Sequence, residues 1–164
     1  MRVLAFDQST RVTGYSVFDD AVYVDSGIID VSKITDTSER TRQMGILLCD
    51  KIAETKPDTI VIEEVQCQSN VDTVKKLARL QGIAIGYAAA HNIPLHILEP
   101  SRWRAALGYK QGRGVERKEL KQQSFDYIKK HFGFTNFSED RCESICINEA
   151  AHKIFGWEDD IWGS

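Results

Sequence analysis

A chain of 164 residues, 42% hydrophobic and 27% charged, has the size and balance of one soluble globular domain with a real core. No apolar run approaches the length of a membrane-spanning helix, and a strand pattern begins at once, leaving no room for a signal peptide. The formal net charge of −3 argues on average against nucleic acid as a partner, and Cys49, Cys67, Cys142 and Cys146 lack disulfide-framework spacing, which points to a reducing cytoplasm.

Val3-Leu4-Ala5-Phe6 is an apolar run that ends on Asp7, followed by the small polar turn Gln8-Ser9-Thr10. That pattern predicts a buried central strand with a carboxylate at its tip. Asp7 there is either a turn cap or a functional group held on a rigid element. Thr13 to Phe18 and Val22 to Val31 read as two further strands, giving an antiparallel meander whose third member is partly exposed at Asp25 and Ser26. Asp36-Thr37-Ser38 offers N-cap chemistry for a helix to about Thr55, with Met44, Leu47, Leu48 and Ile52 at helical spacing.

Thr59 to Val65 is a second buried strand that ends in carboxylates, Glu63 and Glu64. Strands and helices alternate from here, which implies a parallel part of the sheet. Val71 to Ala90 reads as a long helix containing Gly82 and Gly86. Each glycine costs a helix about 1 kcal/mol against alanine, so the pair predicts close approach by another backbone, either the sheet or a second subunit. Ile93 to Leu98 is the last strand, and Pro100 opens a short helix to Leu107. A glycine-bearing loop from Lys110 to Gly114, read as mobile, precedes a helix from Glu116 to Phe132 that Gly133 stops. Ser138 caps a final helix to about Phe155, and the tail Trp157 to Trp162 is acidic and aromatic. The whole chain, 1–164, is expected to form one α/β domain with a mixed sheet: three antiparallel strands, then parallel strands, flanked by helices.

Asp140 and Glu143 lie three apart in the first turn of that last helix, on one face. Two like charges side by side repel, although a helix N-terminus tolerates acids. Taken with the strand-end acids, they supply hard oxygen ligands from three elements, a set suited to Mg²⁺ or Mn²⁺. Two such ions roughly 4 Å apart would hold the attacking and leaving oxygens of a phosphodiester displacement. Only one of Glu63 and Glu64 can share a face with Asp7, because neighbours on a strand point to opposite sides. The pattern by itself does not choose between them.

In order along the chain, FDQSTRVTGYSVFD, IVIEEVQ, SNVDTVKKLARLQGIAIGYAAA and Asp140-x-x-Glu143 resemble the RuvC family of Holliday-junction resolvases, of ribonuclease-H-like fold. The first motif is shared with actin-like ATPases and sugar kinases, which need about twice this length and a second phosphate loop. The resemblance selects Glu63 and implies a Mg²⁺-dependent endonuclease acting on four-way DNA junctions. It also implies a homodimer packed through Val71–Ala90, which would account for Gly82 and Gly86. Asp7, Glu63, Asp140 and Glu143 are then the metal ligands. The family usually ends its set on Asp where this chain has Glu143, and Gln66 and Cys67 stand where cellular members often carry an aromatic residue. The chain also resembles the compact bacteriophage RuvC-like proteins, which act on several branched DNAs. A related nuclease acting on RNA precursors, or a DNA-binding protein without catalysis, are the rival readings.

Between Arg102 and Lys121 the chain carries seven basic residues, Arg102, Arg104, Lys110, Arg113, Arg117, Lys118 and Lys121, against Glu116 and Glu119. A basic stretch on an acidic protein is the expected footprint of DNA phosphates. By the resemblance, Lys118 matches a lysine beside the active site, where it would stabilise charge on the phosphate. Trp103 reads as a core residue and not a base-stacking platform. Cys142 and Cys146 read as small buried hydrophobes, their spacing being unlike that of zinc ligands. His91, His96 and His131 read as structural or exposed.

Overall fold

A computed structural model describes residues 1–66 and 70–157; Cys67 and the acidic tail from Glu158 lie outside the described residues. The elements follow in chain order as β1 (Arg2–Asp7), β2 (Val12–Asp19), β3 (Val22–Asp30), α1 (Thr37–Thr55), β4 (Thr59–Glu63), α2 (Val71–Ala90), β5 (Leu95–Leu98), α3 (Pro100–Ala106), α4 (Arg117–Phe132) and α5 (Glu139–Phe155). One sheet runs β3-β2-β1-β4-β5. The meander β1–β2–β3 is antiparallel, while β4 and β5 join in parallel, which places β1 at the centre.

Strand parity divides the core in two. Leu4, Phe6, Ile60 and Ile62 face Met44, Leu48 and Ile52 of α1 and Leu80 of α2. Val3, Ala5 and Val61 face the other way, against Trp103 of α3, Ile128 of α4 and Ile145 of α5. Because β1 and β4 are covered on both faces, they are continuously apolar and do not alternate. Parity also corrects one expectation for β3: Asp25 is exposed, but Ser26 is buried on the α5 side and accepts a hydrogen bond from Arg141 Nε at 2.7 Å. Val22, Val24 and Ile28 of this edge strand are exposed as well.

Helix α5 lies across β1 and β2 and is pinned by buried polar groups. Ser16 Oγ donates to the Ser144 carbonyl at 2.8 Å. Asn148 Nδ2 donates to the carbonyls of Val3 at 3.2 Å and Ser16 at 3.1 Å. Buried polar groups carry a large penalty unless paired, so these bonds fix one longitudinal setting of the helix on the sheet.

The glycines of α2 behave differently from the sheet-packing alternative. A Cβ built on Gly82 or Gly86 meets nothing within 4 Å, and both residues are exposed. The close helix contact within the chain occurs at Gly45 of α1, where a Cβ would stand 2.6 Å from Ile83 Cδ1. The Lys110–Gly114 loop is tied down at its start. Gln123 accepts from the Lys110 N–H at 2.7 Å and donates to the Lys110 carbonyl at 3.1 Å, and Gln111 Nε2 donates to the Ser101 carbonyl at 2.9 Å.

Candidate active site

The register Val3↔Thr59 through Phe6↔Ile62 brings the tips of β1 and β4 level, so Asp7 and Glu63 stand side by side at the carboxyl end of the sheet. Both continue the parity of Ala5 and Val61 and therefore face α3, α4 and α5. Glu64 has the opposite parity, and its Oε1 accepts from the Val65 N–H at 2.8 Å. The strand ends at a parallel switch are where an open α/β sheet presents its crevice. Here they open into a cleft of about 570 Å³ lined by Asp7, Glu63, Glu64, Asp140 and Glu143.

Two features that composition does not announce bring α5 into range. Gly14 pairs with Asp7 across β1 and β2, and a Cβ on it would fall 1.9 Å from the Asp140 carbonyl oxygen. Only a residue without a side chain lets the first turn of α5 rest on β2 at this point. Arg141, beside Asp140, points away, its guanidinium 3.5 Å from the Phe137 ring centre and its Nε on Ser26. Asp140 and Glu143, one turn apart, are left facing the strand tips.

The cleft is electrostatically strained by its own acids. Burial is the largest cause holding the Asp7 carboxyl well above the usual carboxylate range, followed by the charges of Glu143, Glu63 and Asp140. Glu143 is pushed up to about 7, by burial first and the Glu63 charge second. Burial also raises Glu63, against the pull of Trp103 and Arg104, and raises Asp140. Buried, mutually repelling oxygen donors are the chemistry of a hard divalent cation site. Among the described residues, no three His, Cys, Asp or Glu side chains are already drawn together as a metal-holding group. The donor set fits Mg²⁺ or Mn²⁺, both of which keep several waters.

The basic residues separate into two sets. Arg104, Arg117 and Lys121 line the cleft. Arg104 Nη2 lies 3.7 Å from Glu63 Oε1, and Lys121 pairs with Glu139. Arg102, Lys110, Arg113 and Lys118 are exposed and lie outside the cleft lining. On α4, Arg117, Leu120 and Lys121 line the cleft and Lys118, expected beside the acids, does not. Cys142 and Cys146 are buried in the α5 core, and Tyr109 Oη donates to Cys146 Sγ at 3.2 Å.

Sequence reading passed over Gly14, Gln8 and a second basic flank. Arg11 of the β1–β2 turn, Arg40 of α1 and Lys76 of α2 line the cleft opposite α3 and α4. They sit on three separate elements, so no local run of charge betrays them. Both amide atoms of Gln8 are buried at the cleft wall with no hydrogen-bond partner among the described residues.

The family model described as "Crossover junction endodeoxyribonuclease RuvC" matches residues 3–125. The RuvC crossover junction endodeoxyribonuclease of Geobacter metallireducens is 33% identical over 130 residues, covering 75% of this chain and 76% of that protein. That of Trichlorobacter lovleyi is 32% identical over 127 residues, covering 75% and 70%. The fold matches Thermus thermophilus RuvC in complex with a Holliday junction substrate, with TM-score 0.75, 13% identity, and 95% and 96% of the two chains covered. It also matches the yeast mitochondrial Holliday junction resolvase Ydc2, with TM-score 0.59, 16% identity, and 97% and 80% covered. The fold is thus the ribonuclease-H-like one, and the chain belongs to the RuvC family of crossover junction endodeoxyribonucleases.

Proposed function

We propose that this protein is a Holliday-junction resolvase, a structure-selective endonuclease that hydrolyses phosphodiesters of branched DNA in the cytoplasm. The observation that carries it is the meeting of Asp7, Glu63, Asp140 and Glu143 from three elements in one cleft flanked by cations, in a chain of this family. Those four carboxylates would hold Mg²⁺, with Mn²⁺ as a substitute. When bound, the ions supply an activated water and charge stabilisation for the leaving 3′ oxygen.

The chain's own residues do the rest. Arg104 and Arg117 bring positive charge to the acidic wall, where it opposes the build-up of charge on the phosphate being cut. Arg11, Arg40 and Lys76 offer phosphate contacts on the other flank. Lys121, with Arg102, Lys110, Arg113 and Lys118 further out, extends the positive surface along α3 and α4. The exposed stripe of α2, with Gly82, Ile85, Gly86 and Ala89, supports pairing with a second copy. Dimer symmetry then gives two cuts on two like strands. The compact bacteriophage resemblance, with Glu143 closing the acidic set, favours activity on three-way as well as four-way DNA.

The test is incubation of purified protein with labelled four-way, three-way and linear DNA, and with structured RNA, with and without Mg²⁺. Branched DNA should be nicked only with the metal, and Asp7→Asn should bind junctions yet cut nothing. Preference for RNA, metal-independent cutting, or an active Asp7→Asn would each overturn the reading.

A further inference from the structure

We infer that Trp103 is a positioning residue for the nuclease centre: its indole N–H fixes which oxygen of Glu63 faces the cleft. Trp103 is the largest fully buried side chain among the described residues, at 0% exposure, so core packing would account for the ring alone. The ring nitrogen needs a partner, and that partner is not a backbone carbonyl. Trp103 Nε1 donates to Glu63 Oε1 at 2.8 Å.

The placement follows from the topology. Glu63 pairs with Leu98 between β4 and β5, and Pro100 starts α3 two residues later, which carries Trp103 back over the strand tip. The indole is itself held. It meets the Tyr109 ring edge-on at 5.6 Å, and the Arg104 guanidinium covers it at 4.9 Å. Tyr109 Oη in turn lies within hydrogen-bonding distance of Ser124 Oγ of α4, at 3.3 Å, and of Cys146 Sγ of α5, at 3.2 Å, so the clamp on Glu63 is tied to the helix that carries Asp140 and Glu143.

An indole N–H donates and cannot accept or ligate a metal. Trp103 therefore engages Oε1, where Arg104 also sits, and leaves Oε2, which accepts no hydrogen bond from the described residues, for the cleft. A glutamate beside three other acids would otherwise swing away from them. The hydrogen bond holds it at its post before any cation arrives, and such outer partners of ligand carboxylates set metal affinity.

This inference rests on the reading of the four acids as a metal site, and the experiment separates the two. The metal-free full chain is titrated with Mn²⁺ alone by calorimetry. The comparison is between wild type, Trp103→Phe, and the chain carrying 3-benzothienylalanine at position 103, which keeps the indole shape but has sulfur in place of N–H. Both variants should bind Mn²⁺ about ten- to a hundredfold more weakly. The isostere should keep the wild-type cooperative fold and metal-free junction affinity, with a lowered melting temperature from the lost hydrogen bond. Wild-type Mn²⁺ affinity in the isostere overturns the proposal, even if Trp103→Phe is weakened, because the ring and not the N–H would then matter. Failure of the underlying site looks different: wild type takes up no Mn²⁺, or Asp7→Asn takes it up normally, and either result removes both readings.

Discussion

Gly14→Ala is the sharpest small perturbation of the site, because it adds one methyl group where α5 meets β2. The new Cβ would lie 1.9 Å from the Asp140 carbonyl oxygen and 2.4 Å from the Asp140 carbonyl carbon. Backbone cannot rotate aside as a side-chain tip does, so the first turn of α5 must move outward by roughly 1 Å to restore van der Waals contact. Overpacking of this kind costs about 1–3 kcal/mol, or roughly 2–12 °C of melting temperature for a domain of this size. The catalytic cost is larger in proportion, because Asp140 and Glu143 ride on the displaced turn. A misplacement of about 1 Å lowers a rate about a hundredfold. The assay is single-turnover cleavage of a labelled four-way junction at saturating protein, beside a thermal melt of the same sample. If Gly14→Ala melts and cuts like the wild type, the close approach of α5 to β2 does not position the acidic pair.

Stability should depend on pH in a way set by the crowded acids. A carboxyl with a raised folded pKa holds its proton more tightly when folded, so stability falls as pH rises from its unfolded value towards its folded one. For Glu143, going from 4.5 to about 7, this is on the order of 3 kcal/mol at about 1.4 kcal/mol per unit. In chelator the protein should melt higher at pH 5.5 than at pH 8, with Mg²⁺ restoring the loss at pH 8; a flat profile refutes it. Arg117→Ala should slow single-turnover cutting by about ten- to a thousandfold while saturable binding persists, whereas exposed Lys118→Ala should change at most the salt dependence of binding, by about one counterion. The reverse pattern would return the catalytic cation to Lys118. Gly86→Leu should leave the fold's melting temperature nearly unchanged, since its Cβ position is open, yet give monomers in sedimentation and uncoupled single nicks. A variant that stays dimeric would place the subunit contact elsewhere.

Strand identity and the burial of the central strands were legible in the sequence because they depend on local periodicity. Val3 to Phe6 and Ile60 to Ile62 are apolar without alternation, which only a strand covered on both faces tolerates. Asp7 and Glu63 were legible as strand-end acids for the same reason. Residue spacing could not choose between Glu63 and Glu64, and the family resemblance selected Glu63. The structure supplies the physical ground, since the register Phe6↔Ile62 makes Asp7 and Glu63 successive partners of equal parity.

What the chain could not show by itself is everything that depends on one element crossing another. Gly82 and Gly86 predict a close approach but meet nothing within their own chain, while Gly14, at the start of a β-branched and aromatic strand, lets α5 come close in the site. The charge run from Arg102 to Lys121 is conspicuous in sequence, yet helical phase admits only Arg104, Arg117 and Lys121 to the cleft and turns Lys118 outward. Arg11, Arg40 and Lys76 are scattered singly and join only because the β1–β2 turn, α1 and α2 end on the same side of the sheet. Trp103 was rightly a core residue, and only the return of α3 over β4 gave its N–H to Glu63. Periodicity fixes which face of an element is buried; which side chains then meet is set by register and crossing, and neither is encoded within any one segment.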